Sequence, residues 1–246
     1  MADERKPKRR DYQWFPDGFW SPPKRQNAPL QGDRRKERIY LAVGCALSEW
    51  ERTESVLVGL YHIFCRTDRA PQPMRLAVER TYGAIESTTG RLSVLEAAAE
   101  AYFGKYWNDQ RVRYPFDALV ESFRHAAYRR NEIAHGIVIV PSSVTGNTGG
   151  SHTTRRYGAF LVAASYSTRH NSLPRDKITD HPLSIIDSQY AYMAVDLLGF
   201  SAKFKRLGDR AIIFRGDVVR HNGEPPRLIK DAIAAESART AQKKPS

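Results

Sequence analysis

From about Arg35 to Phe64 the apolar residues Ile39, Val43, Ala46, Trp50, Leu57, Leu60 and Phe64 recur at three, four or seven positions, with Glu49, Glu51, Arg52 and Glu54 between them. This is the period of an α-helix with one face turned toward a core. A helix this long cannot cover its own apolar stripe, so the chain needs further helices to pack on it. The sequence offers three before residue 136. One starts after Pro71 and Pro73 and runs to about Ile85. A second covers about Ser87 to Phe103, with Leu92, Leu95, Ala99 and Phe103 on one face. In the third, Pro115 suits the first turn, and Leu119, Phe123, Ala127 and Tyr128 follow. Gly136 supplies its stop signal.

Beyond Gly136 the period changes. Ile137-Val138-Ile139-Val140 is strand-like and ends at Pro141, and a loop through Gly146, Gly149 and Gly150 leads to a second such run over Tyr157–Tyr166. A β-hairpin is the expected outcome. The glycines are not read as a phosphate cradle, because the Gly-Lys-Ser/Thr and helix start of such a loop are missing. Helical spacing returns from about Ser184 to Leu207, and a basic tail with a short helix around Leu228–Ala238 closes the chain. The reading is a mainly α protein, an antiparallel bundle of four to five helices carrying a small β-hairpin insert at about 137–182. The helical domain spans 34–208, between a basic, aromatic N-terminal arm (1–33) and a basic C-terminal tail (209–246).

The arm holds Tyr12, Trp14, Phe15, Phe19 and Trp20 among prolines and basic residues. It either packs its rings on the body or binds nucleic acid through charge and stacking. The charge balance favours a polyanionic partner: 39 Lys+Arg against 27 Asp+Glu give a formal +12. No apolar run reaches the roughly 18–20 residues that a spanning helix needs, and no apolar signal segment follows the basic N-terminus. A cytoplasmic location without membrane contact is therefore expected. Cys45 and Cys65 fit no disulfide or zinc pattern and read as reduced, small core residues. His152, His170, His181 and His221 have no ligand spacing, so neither a metal nor a cofactor is expected.

Specific chemistry is visible in one segment, Arg129-Arg130-Asn131-Glu132-Ile133-Ala134-His135-Gly136. On a straight helix Arg130 and His135 are ~7.5 Å apart along the axis and ~140° apart around it. Asn131 and His135, at i and i+4, lie side by side, so the amide can orient the imidazole. Arg130 can present its planar fork to a phosphate, and His135 can serve as acid or base near neutral pH. Cleavage of RNA by its own 2′-hydroxyl needs these parts: a base, a cation for the developing charge, and an acid for the leaving oxygen.

Arg130, Asn131 and His135 resemble the Arg-x4-6-His motif of the HEPN family, in which Asn often follows the Arg directly. Trp50 and Glu54, in a Trp-x-x-x-Glu arrangement, resemble the first helix of HEPN-like bacterial proteins. The similarity covers about residues 36–208. It implies a four-to-five-helix fold and a homodimer in which both Arg/His sets meet in one cleft. It also implies metal-independent endoribonuclease activity with Arg130, His135 and Asn131 as catalytic residues, frequently in toxin–antitoxin or phage-defence systems beside an antitoxin or defence partner. Glu54 would orient Arg130, and Arg129 would support the site. Some HEPN toxins carry a tyrosine two positions after the histidine for modification by a partner; Ile137 stands there instead.

Each residue also has a plainer reading. His135 suits a helix C-terminus, where positive charge is stabilising by ~0.3–1 kcal/mol. Arg129 and Arg130 suit a solvated basic face and Glu54 a surface carboxylate; His125, four residues before Arg129, is placed to line the groove, and on the plainer reading has no role there. The chain would then be a non-catalytic HEPN module binding RNA or nucleotide, or a dimerisation and partner-interaction subunit.

Overall fold

Ile39, Ala46, Trp50, Leu57 and Leu60 are fully buried along one stripe of a helix that runs Lys36–Phe64 (α1), in the computed structural model of this chain. The structure describes residues 14–22, 32–140, 158–162 and 191–221, and the backbone alone of 144–148 and 151–155. Helix α2 is Gln72–Gly83, with Pro71 at its cap and Pro73 in its first turn. Helix α3, Thr88–Phe103, starts where the Ser87 hydroxyl accepts the Gly90 N–H at 3.0 Å. Helix α4 is Gln110–Ala134 and α5 is Ala194–His221. Strands β1 (Ile137–Ile139), β4 (Phe160–Val162) and β5 (Ala191–Tyr192) form a three-stranded antiparallel sheet in the order β1-β4-β5. Strands β2 (Val144–Thr148) and β3 (Ser151–Arg155) form a separate antiparallel pair. The chain is thus mainly helical with a small β insert, as its patterning predicts.

Several boundaries differ from the sequence reading. Helix α4 starts more than a turn before Pro115, because Asp109 ends the preceding turn and its carboxylate accepts the Arg111 N–H at 2.8 Å. Pro115 therefore sits inside the helix. Helix α5 begins at Ala194 rather than Ser184. Asp33 accepts the Ala194 N–H at 2.7 Å and Asp196 accepts the Met193 N–H at 2.8 Å, so two carboxylates fix the start. The same helix continues through Gly208 to His221, across the expected 208/209 boundary. Gly208 allows close packing there: a Cβ on it would lie 3.0 Å from Thr53 Oγ1. The expected short helix at Leu228–Ala238 lies outside the described residues. Cys45 is exposed and Cys65 half-buried, so neither is the core residue expected; both are free thiols.

The chain divides into two compact units. One comprises Phe15–Ser55 and Ser122–Asp209. Its aromatic core places Trp50 against Phe123 and Phe204, at 6.1 and 5.4 Å between ring centroids, and Thr53 Oγ1 donates to the Phe204 carbonyl at 2.8 Å. Trp20 stacks on Phe204 at 5.9 Å, and Phe15 and Phe19 pack beside it. The described part of the N-terminal arm thus spends its rings on packing, and Phe15 and Trp20 are buried. The described residues of the other unit are Trp14, 56–121 and 210–221. Phe64, Phe103, Trp107 and Phe116 form its aromatic centre. Arg113 lies over Trp107 at 4.2 Å and bridges Glu96 and Asp117, each at 2.8 Å. No described helix is long and apolar enough to cross a membrane.

Candidate functional site at the end of helix α4

Successive residues on a helix point ~100° apart, and the last turns of α4 use this to send neighbouring side chains into different surroundings. Phe123, Ala126 and Ile133 are buried on its apolar stripe. Gly136 ends the helix for a reason other than the left-handed turn usual for a C-terminal glycine. Its φ is not positive, but a Cβ there would lie 2.8 Å from Leu161 Cγ and 3.0 Å from the Glu132 carbonyl oxygen. Strand β4 packs against the bare glycine, and the chain turns directly into β1.

Arg129 turns inward. Its Nη1 lies 2.5 Å from Glu132 Oε2 and donates to Tyr192 Oη at 3.4 Å, while the Tyr192 hydroxyl donates to the same Glu132 oxygen at 2.8 Å. Glu132 and Tyr192 are both buried. Burial raises the Glu132 carboxyl above its ordinary range, against the opposing pull of Arg129 and the two hydrogen bonds. It also pushes the Tyr192 phenol up, with the nearby Glu132 charge acting the same way. Lys203, over the rings of Phe200 and Phe19 at 4.7 and 5.4 Å, is pushed down by burial and by the neighbouring Arg129. Arg129 therefore belongs to a buried polar network fastening α4 to β5.

Arg130 turns the other way. Its Nη1 donates to Asn131 Oδ1 at 3.1 Å, and Nη2 stands 3.6 Å from Glu51 Oε1 on α1. The guanidinium is about a third exposed, with Nε buried and without a hydrogen-bond partner. Asn131 is half-buried, whereas His135 is exposed on the last turn, its backbone N–H bonded to the Asn131 carbonyl at 3.0 Å. Arg130 and Asn131 are thus brought together directly, and His135 follows Asn131 one turn later. Glu54 is a buried residue of α1 at 6% exposure, not the surface carboxylate of the plainer reading, and Glu51 is the acidic residue beside Arg130. His125 is exposed.

Three residues of this region escaped the sequence reading: Glu51, Glu132 and Tyr192. Glu132 carried a signal, standing three positions after Arg129. Tyr192 carried none, since it reaches the network only through the pairing of β5 with β4. Among the described residues no group of three or more His, Cys, Asp or Glu is placed to hold a metal ion. No protein-family model, curated protein or solved structure matches this chain.

Proposed function

We propose that this chain is a metal-independent endoribonuclease of the HEPN type, working as a homodimer in toxin–antitoxin or phage defence. The observation that supports it is the division of labour between two adjacent arginines. Arg129 is consumed by buried Glu132 and Tyr192, while Arg130 stays at the surface beside Asn131, with His135 exposed one turn on. The only carboxylate described beside Arg130 is Glu51, itself 63% exposed. Such a solvent-exposed pair is worth at most ~1 kcal/mol, so a phosphate can displace it.

In this reading His135 takes the proton of a ribose 2′-hydroxyl. The freed 2′-oxygen bonds to the adjacent phosphorus as the bond from phosphorus to the 5′-oxygen breaks. Arg130 neutralises the charge on the phosphoryl oxygens, and the departing 5′-oxygen receives a proton from an acid. The products are a 2′,3′-cyclic phosphate and a 5′-hydroxyl. Incubation with single-stranded RNA in EDTA tests the proposal. Cleavage with those ends, blocked by a 2′-deoxy substitution at the cut site, is the expected result; intact RNA at stoichiometric enzyme refutes it.

A non-catalytic RNA-binding or interaction module is the second reading. It is favoured by one observation, that Arg130 already has Asn131 and Glu51 around its guanidinium. RNA binding without cleavage would establish it.

A further inference from the structure

Tyr128 follows Phe123 by five positions on α4, so its side chain leaves the helix ~140° round from that buried ring. The apolar spacing groups it with the core, yet it is 39% exposed. It stands instead on a row with Arg124, Asn131 and His135. Steps of four, three and four residues keep these four side chains within ~60° of one another around the axis. Arg124 and His135 are exposed and Asn131 is half-buried. The row presents a cation, an aromatic ring, an amide and an imidazole in that order, with no carboxylate among them. Glu132, the adjacent acid in sequence, is buried against Arg129 and Tyr192. Arg130 joins the row from its flank, because its Nη1 donates to Asn131 Oδ1 at 3.1 Å.

We infer that Tyr128 is a stacking platform for an unpaired base of the RNA and Arg124 a contact for a further phosphate, so that this row carries a single strand to the site. The inference rests on the ribonuclease reading of Arg130 and His135. At ~1.5 Å per residue, Tyr128 lies ~4.5 Å below Asn131 along the axis, and Arg124 lies ~6 Å below Tyr128. A phosphate held by Arg130 beside Asn131 therefore leaves the base of a neighbouring nucleotide at the level of the ring. A phenol ring stacks on any base, since each offers a π-face, and the larger purines offer more of it. Bases inside a duplex have both faces covered by their neighbours and cannot stack there. The row thus selects single strands and favours a purine next to the cut phosphate. Arg124 adds a charge contact that carries no sequence information.

Fluorescence anisotropy of the full chain reads the two contributions separately. The probes are labelled 2′-O-methyl oligomers, which lack the attacking hydroxyl: oligoadenylate, oligocytidylate and an abasic chain of equal charge. Oligoadenylate should bind about tenfold tighter than the abasic chain, with oligocytidylate between them. Tyr128→Ala should remove most of that difference. Tyr128→Phe should keep it, because the ring and not the hydroxyl stacks. Arg124→Ala should keep the base preference and lower the slope of log affinity against log salt by about 0.7, the single-strand value for one phosphate.

Equal affinity for oligoadenylate and the abasic chain, an unchanged preference in Tyr128→Ala, Tyr128→Phe as weak as Tyr128→Ala, or an unaltered salt slope in Arg124→Ala overturns the inference. Cleavage of ordinary RNA is scored separately. RNA bound with this base preference but never cut would refute the catalytic reading and leave the row standing. RNA cut by a protein whose Tyr128→Ala variant binds unchanged would refute the row alone.

Discussion

Arg130 Nη2 and Glu51 Oε1 stand 3.6 Å apart, joining the end of α4 to the middle of α1 by a contact open to water. A carboxylate in that position competes with any phosphate for the guanidinium. Glu51→Gln should therefore leave the melting temperature within ~1–2 °C of wild type, as expected for an exposed pair worth little, while tightening RNA binding about two- to fivefold at low salt. Weaker RNA binding in Glu51→Gln, measured by fluorescence anisotropy, would make Glu51 a positioning group for Arg130.

His135→Ala should lower the rate of RNA cleavage by ~10²–10⁴-fold, the usual worth of a positioned acid or base. Arg130→Ala should lose charge stabilisation with the fold intact, since it lies outside the core, and Asn131→Ala should be milder. In a homodimer whose two Arg/His sets share one cleft, mixing Arg130→Ala with His135→Ala protein should restore part of the activity; no recovery would make the sites separate. Single-turnover rates with circular dichroism spectra read both outcomes.

Arg129→Met leaves the buried Glu132 carboxylate without its cation and should cost ~3 kcal/mol near neutral pH. The pH dependence has a definite sign. The Glu132 pKa is already raised in the folded protein, so its contribution to stability is present below the unfolded value and is lost as pH rises through the folded one. Removing Arg129 raises that pKa further. The deficit of Arg129→Met should therefore shrink on acidification and be largest at neutral pH, in urea melts taken across pH 4–7.5.

Asp109→Ala removes the carboxylate that caps α4 and should cost ~1 kcal/mol. The Arg111 side-chain hydrogen bond holds the Asp109 carboxyl below its usual range. Its stabilisation is thus present above the unfolded pKa and is lost as pH falls through the folded one. The gap between wild type and variant should close in acid, the same direction as for Arg129→Met but for the opposite reason.

Gly136→Ala drives a methyl group into Leu161 and the Glu132 carbonyl, and should destabilise by ~1–3 kcal/mol. Combined with Leu161→Val, the two costs should be less than additive, because the smaller side chain relieves the clash. Additive thermal-melt shifts would place the strain elsewhere.

The helices were legible because their apolar residues repeat at a fixed spacing. Ile39, Trp50, Leu57, Leu92, Leu95, Ala99, Leu119 and Phe123 all proved buried. Element ends were less so, since they depend on caps supplied from afar: Asp33 reaches Ala194 across most of the chain, and no local pattern announces it. At the candidate site Arg130 with Asn131 could be read from adjacency. The fate of Arg129 could not, because Tyr192 comes to it only when β5 pairs with β4. The cysteines misled for a related reason: their chemistry favours interiors, but Cys45 lies on the exposed side of α1, ~100° round from Ala46 and ~140° from Trp50.

Val162 and Ala191 are paired partners at the edge where β4 meets β5. They are neighbours across the sheet although far apart in sequence. Bringing such positions together costs conformational entropy that grows only logarithmically with their separation, ~0.6 kcal/mol for each doubling. That cost falls on the pairing of β4 with β5, so the Tyr192 hydroxyl reaches Glu132 and Arg129 only once this distant contact has formed.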